Sequence, residues 1–524
     1  MQGKKHYAEQ LFTTFRLSEH VPEDNFYRRL SQATDLHWLY GATKGYYGTE
    51  GQQSIDPVVF FKLILIGYLE NLASDRRIIA TASLRLDLLL YLGYGLEEPL
   101  PWHSTLSRTR QLYGEELFKE LFRRVLTQCV ERGMVSGRRQ AIDSAPVKAN
   151  ASMDSLQLKA IIADADAYAG ELAENEEDKP GVSAAREKRV AQHHSYKAKA
   201  YKGMPAANRA RAKFVSNHTH YSPTDPDARI SVKPGKPRQL NYHAQVAVDT
   251  AHHVITHIGS SPADKKDSQS LPAVLAQALE NLKANGLEAE AILADGGYSS
   301  GEALQALEDR GLSGYIPNFG QYKSERQGFS YDKAHDRYTC SRGMHLPYKK
   351  TLTSSLGYTR KVYRSSAKDC KDCPLRATCI GKSDFKKIED TIDKPLYDRM
   401  EARKRAHPKC WNQMKRLRSA TVEPVLGTLV NFLGLRRLNT RGAASANKCM
   451  LMAGAAYNLK KLLKWHGAKA WSIATALQKP ALKWKKGPEG LCFSEIRAWD
   501  AVQRPRLSKV IFPVPPHQIA PSLD

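Results

Sequence analysis

The chain has 524 residues, more than one ordinary hydrophobic core accommodates, so two to four domains, or one domain with large insertions, is the expectation. Its 79 Lys and Arg against 54 Asp and Glu leave a formal net charge of +25, which points to a polyanion such as nucleic acid, the plainer reading being a merely basic soluble protein. The most apolar stretch, 58–72, contains Lys62 and falls short of the roughly 20 residues that span a bilayer, and MQGKKHYAEQ has no apolar signal segment. The expectation is therefore no membrane and a cytoplasmic, nucleoid-associated location.

Residues 1–136 read as a helical domain. Asp56 is placed to cap a helix with Pro57 at its first position, and the apolar run to Leu72 makes that helix mostly buried. Ser104 is the expected cap of TLSRTRQL. In the next helix Leu117, Leu121, Val125 and Cys129 form one apolar stripe that stops at Gly133. HSTLSRTR, with Arg108 and Arg110, is the best candidate here for touching DNA, a solvated basic helix face being the equal alternative.

A short apolar run, Ala141–Ile142, then ends in Asp143 and is followed by small residues. Residues 153–222 are first acidic, then strongly basic and poor in apolar side chains, which suggests an inserted helical or loosely ordered arm. NYHAQVAVD and HHVITHIGSS alternate as a β-hairpin. A helix over 268–285 follows, then a buried strand at 291–294 ending in Asp295, another helix at ALQALEDRG, and a strand at GYIPN. This succession predicts an α/β fold with a mixed sheet flanked by helices.

Asp143 and Asp295 would both project from strand ends, where two neighbouring carboxylates cannot comfortably stay ionised without a cation between them. Hard oxygen donors of this kind suit Mg²⁺ or Mn²⁺. As isolated residues, each is more often a turn or cap residue than a ligand. Among the rival acids, Asp249 reads as a hairpin-turn residue and Asp264 and Asp267 as helix N-terminal acids. A third ligand is expected at Glu423, in the first turn of a helix with Pro424. The basic neighbours Arg416, Arg418, Arg436, Arg437 and Arg441, with Lys148 beyond the first strand, are candidates to hold DNA phosphates.

An insertion over about 320–405 contains Cys340, Cys370, Cys373 and Cys379. Their CKDCPLRATC portion has the close pairing of a structural Zn²⁺ knuckle, with reduced thiols in a polar loop as the equal alternative. Cys129 and Cys449 read as core residues. SANKCMLMAGAAYNLKKLLKW reads as an amphipathic helix packed on the sheet, and 466–524 as a basic C-terminal extension.

The order of SIDPVVFFKLILIGYLE, LGYGLEEPLP, HSTLSRTR, IDSAPVKANAS, ADGGYSS, VEPVLG and NTRG resembles the DDE transposases of bacterial insertion sequences over residues 10–465. The resemblance implies a ribonuclease H-like catalytic domain over 137–465, with Asp143, Asp295 and Glu423 at the positions of the family's metal-binding acidic triad. It also implies two-metal cleavage and strand transfer at terminal inverted repeats, double-stranded DNA partners (repeats and target), and a homodimer or larger synaptic assembly. A nuclease without strand transfer, or a non-catalytic repressor that binds inverted repeats, would share parts of this pattern.

Overall fold

Local capping and apolar patterning account for the N-terminal helices: α1 (Leu17–His20), α2 (Phe26–Ala33), α3 (Trp38–Thr43), α4 (Pro57–Leu69), α5 (Asp75–Ala82), α6 (Leu86–Leu92), α7 (His103–Leu112) and α8 (Glu115–Glu131). The Asp56 carboxylate accepts hydrogen bonds from the N–H groups of Val58 and Val59 and so caps α4. That helix is apolar on all sides and is accordingly buried almost throughout. The α7 helix starts two residues earlier than its sequence suggests, with Trp102, which is extended, at its cap position and no side chain capping it. Ser104 thus lies in the first turn, where it accepts from Arg108. The α8 stripe is buried as expected, and Gly133, at φ +72°, ends the run.

The computed structural model describes residues 15–465 apart from 49, 51–53, 159–215, 218–219, 232–237, 319–321, 323 and 354–358. Most of the charged arm and the C-terminal extension therefore lie outside the described residues. Among those described, no helix is long and apolar enough to cross a membrane.

The fold is mixed α/β behind this helical region. Strand β1 (Arg139–Lys148) is followed by the short pair β2 (Gln157–Leu158) and β3 (His220–Tyr221), then β4 (Arg229–Ser231), β5 (Gln239–Asp249) and β6 (Ile255–Pro262). Helix α9 (Asp267–Ala284), strand β7 (Ala291–Leu293), helix α10 (Gly301–Glu308) and strand β8 (Ser313–Tyr315) complete the layer. The six-stranded sheet runs β4–β5–β1–β7–β8, with β6 also paired to β5. The expected hairpin is β5–β6, and β1 lies antiparallel to β5 but parallel to β7, which is parallel to β8. Parallel neighbours need crossovers, and α9 and α10 supply helices between them. Asp249 closes the hairpin as a buried acceptor for Ser136, Gly137, Gln140 and Ala251.

The 320–405 insertion, for which a polar loop is one of the two readings, forms strands. It folds as a second sheet of β9 (Phe329–Asp332), β10 (Arg337–Cys340), β11 (His345–Thr353), β12 (Thr359–Arg364) and β13 (Lys387–Thr391). Tyr338, Leu346, Tyr363 and Ile388 give it a small core of its own, built largely from tyrosines, so a count of aliphatic residues understates it. Two short helices, α11 (Ala367–Lys371) and α12 (Arg376–Cys379), carry Cys370 and Cys379, with Cys373 between them.

Three helices follow: α13 (Lys394–Ala406), α14 (Pro408–Phe432) and α15 (Ala443–Leu463). Glu423 and Pro424 stand inside α14, not at a helix start. Proline deletes one backbone donor, but Val422, Val425, Leu426 and Leu429 bury one side of the helix and hold it through that position. The expected amphipathic α15 is buried nearly all round, because it packs on α8, α4 and β6 together. At Gly454 a Cβ would stand 2.6 Å from Ile258 and 3.2 Å from Phe122, so the close approach of α15 requires glycine. Cys129 and Cys449 are core residues, as expected.

Candidate active site

The β1–β7 register pairs Ala141 with Leu293, and two residues further along each chain come Asp143 and Asp295. The two expected acids are thus brought side by side at one edge of the sheet. Asp295 caps the single turn Gly296–Tyr298, its Oδ1 accepting from Gly297 N–H at 2.9 Å. Any side chain at 297 would press on that oxygen at 3.0 Å, which accounts for the glycine there.

Asp143 Oδ1 accepts from the Ser144 N–H at 2.8 Å, and its Oδ2 accepts from Arg418 Nη1 at 2.8 Å. Burial pushes the Asp143 carboxyl above the ordinary carboxylate range, and the charge of Asp295 adds to that push. The Ser144 N–H and the Arg418 guanidinium pull the other way. Arg418 Nη2 also donates to Glu423 Oε1 at 3.1 Å and to Ser419 Oγ at 3.2 Å. The Arg418 side chain is 13% exposed and Asp143 18%, whereas Glu423 is 56% exposed. One guanidinium therefore links the first and third expected acids, reaching Glu423 five residues further along α14 and Asp143 across on β1.

Among the described residues no group of three or more His, Cys, Asp or Glu closes up as a ready metal cage. Of the three acids, Asp143 and Glu423 share Arg418 as their counter-ion. Cys340, Cys370, Cys373 and Cys379 likewise do not form such a group among the described residues. Cys370 Sγ is instead 3.1 Å from Ser365 Oγ.

The expected phosphate contacts separate into two kinds. Arg108, Arg416, Arg436, Arg437 and Arg441 are exposed. Lys148 is half-buried, and its backbone joins the 436–438 segment: its N–H donates to Arg436 O at 3.4 Å, and its carbonyl accepts from Leu438 N–H at 2.9 Å. Those arginines thereby stand at the end of the strand that carries Asp143. Arg110 is a correction: it is 6% exposed and pairs with Asp75 at 2.8 and 3.1 Å, so its charge is spent inside the protein.

Two segments match known families. Residues 15–112 match the one described as Transposase domain (DUF772), and residues 339–463 match the Transposase DDE domain. Both segments are thus similar to transposases, the second to their DDE domain. Arg418 and Glu423 fall within the second matched segment, and Asp143 and Asp295 fall between the two. No curated protein matches the chain.

Sequence reasoning missed two features of this site. Arg418 was legible as a cation but not as the bridge between two acids, because that needs the approach of α14 to β1. Asp267 is the first residue of α9, as a helix-terminal acid should be, yet it also accepts from Ser144 Oγ at 2.7 Å. The signal for it lay in the polar pair Ser144 and Gln245, buried in otherwise apolar strands.

Proposed function

We propose that this protein is a DNA transposase that binds the terminal inverted repeats of its own element, cleaves there and transfers the ends to target DNA. The observation that carries this reading is the placement of Asp143 and Asp295 at matching positions just past the parallel β1–β7 pairing, with Glu423 joined to Asp143 through Arg418. The same reading takes 137–465 as a ribonuclease H-like catalytic domain and 1–136 as a helical DNA-binding domain. Its support is the strand order β6–β5–β1–β7–β8, in which an antiparallel trio is followed by two parallel strands.

The donor chemistry fits Mg²⁺ or Mn²⁺: hard carboxylates side by side, one of them raised by burial and by its acidic neighbour, and already neutralised by a cation. Asp143 and Asp295 would hold the ion, with Glu423 joining as Arg418 withdraws. When bound, such ions supply an activated oxygen nucleophile and neutralise charge on the transferring phosphoryl group. The chain's own residues do the rest. The Ser144 N–H orients Asp143, Gly297 leaves room beside Asp295, and Arg418 offers a planar fork suited to phosphate once released. Exposed Arg416, Arg436, Arg437 and Arg441 track the backbone of double-stranded DNA. Processing two element ends together calls for a homodimer or larger synaptic assembly.

The test is to incubate the protein with element-end DNA and Mg²⁺ or Mn²⁺, following nicking and strand transfer, beside Asp143→Asn, Asp295→Asn and Glu423→Gln. Metal-dependent transfer by the wild type, lost in all three variants, is expected. Nicking without transfer would make it a nuclease, and repeat binding without cleavage would make it a repressor.

A further inference from the structure

The polar groups behind Asp143 and Asp295 form one connected chain. Ser144, next to Asp143 on β1, is paired across the sheet with Gln245 on β5. Ser144 Oγ donates to Asp267 Oδ1 at 2.7 Å, and Gln245 Nε2 reaches the same oxygen at 3.5 Å and Ser261 Oγ at 3.2 Å. The other end of that amide, Gln245 Oε1, accepts from the Tyr298 hydroxyl at 2.8 Å. Tyr298 is the last residue of the turn that Asp295 caps. Asp267 lies at the start of α9, and its Oδ2 is 3.6 Å from where a Cβ on Gly297 would be.

Burial gives these bonds their leverage. Ser144 is 8%, Gln245 2% and Tyr298 0% exposed, in surroundings where an unmade hydrogen bond is costly. Nothing in an apolar sheet edge requires a buried Ser–Gln–Tyr chain, since Ala, Val and Phe would fill the same space. What the chain does accomplish is geometric. It ties β1, β5, the start of α9 and the turn after β7 to one another, so that the turn bearing Asp295 cannot shift relative to the strand bearing Asp143.

We propose that Ser144, Gln245, Asp267 and Tyr298 are positioning residues that fix the spacing of the Asp143 and Asp295 carboxylates for a divalent cation. This rests on the reading of those two acids as metal holders. None of the four touches the ion. They act as outer partners do in metal sites, where loss of such a partner typically weakens binding by about 10- to 100-fold.

Binding of Mn²⁺ alone to the full chain, read by the electron paramagnetic resonance signal of the free ion, tests this without any turnover. Ser144→Ala and Tyr298→Phe each remove one hydroxyl and little volume. Both are expected to melt cooperatively and to bind Mn²⁺ about tenfold more weakly than wild type, and Ser144→Thr is expected to restore affinity. Asp267→Asn is expected to weaken binding further, because it also removes a charge near the site. Wild-type affinity in both hydroxyl variants, with binding lost in Asp143→Asn, would overturn the positioning role alone. A wild-type chain that binds no Mn²⁺, or Asp143→Asn that binds it normally, would overturn the metal reading and this inference together.

Discussion

Arg418 Nη1 lies 2.8 Å from Asp143 Oδ2, and this guanidinium is the positive charge that lets a mostly buried carboxylate sit beside Asp295. Its second nitrogen reaches Glu423 from the same side, so the cation and the third acid arrive together on α14. An arginine in this position has to give way if divalent ions are to enter between the acids.

Replacing it exposes that competition. Arg418→Gln leaves Asp143 buried without its counter-ion, and breaking one side of such a pair costs roughly 3 kcal/mol. Thermal melts in the absence of metal should show this loss. Added Mn²⁺ should raise the melting temperature of the variant by more than that of wild type, because the ion then replaces the missing charge. An equal shift in the two proteins would mean that Arg418 and the metal do not share a place.

The raised carboxyl of Asp143 fixes the sign of a pH dependence. A folded-state value above the unfolded one means that the native protein holds this proton more tightly. Its contribution to stability is therefore complete below the unfolded value and lost as pH rises through the folded one. Protons and metal compete for the same oxygens, so Mn²⁺ affinity should climb over that window, from the ordinary carboxylate range upward. Asp143→Asn, which lacks the carboxylate, should bind no Mn²⁺ at any pH in the series. Titrating Mn²⁺ at a series of pH values measures both.

Arg110 belongs to stability, not to DNA. With Arg110 and Asp75 side chains 8% and 14% exposed, Arg110→Ala leaves a buried carboxylate unpaired, and a loss of about 3–5 kcal/mol is expected in denaturant melts. DNA affinity per folded molecule should remain that of wild type. A selective loss of DNA binding with normal stability would return Arg110 to the interface.

How much of this was legible in the sequence follows from the range of the interactions. Asp56 before Pro57, the α8 stripe and the β5–β6 alternation are local signals, and each specified its element within about three residues. Asp295 does lie just past a strand end, as its local signal suggests, whereas Asp143 stands inside β1, which continues to Lys148 because β5 pairs with it along that length. Their adjacency needed the parallel β1–β7 pairing, which α9 brings about from more than a hundred residues away. Pro424 misled because local chemistry makes it a helix starter, whereas burial of the Val422 and Val425 face decides the matter. Tyr338, Tyr363 and their neighbours form a core whose polar tips conceal it from any aliphatic pattern. The Ser144–Asp267–Gln245–Tyr298 chain joins four separate elements, and no window of sequence contains it.

The exposed arginines at the end of β1 offer the most direct probe of DNA contact. Arg436 and Arg437 are anchored by backbone bonds between the 436–438 segment and Lys148, five residues beyond Asp143 on the same strand, and Arg437 Nη2 also reaches Asn150 Oδ1 at 3.3 Å. Their backbone is thus fixed while their side chains face solvent, the arrangement a phosphate contact requires. Each such contact releases condensed counter-ions, so Arg436→Ala and Arg437→Ala should each weaken binding to specific and unrelated duplexes alike. Each should also reduce the slope of log K against log salt by about one. Fluorescence anisotropy over a salt series reads both quantities, with Arg110→Ala as the buried control whose slope should not move. An unchanged slope in the Arg436 and Arg437 variants would remove this edge of the sheet from the DNA path.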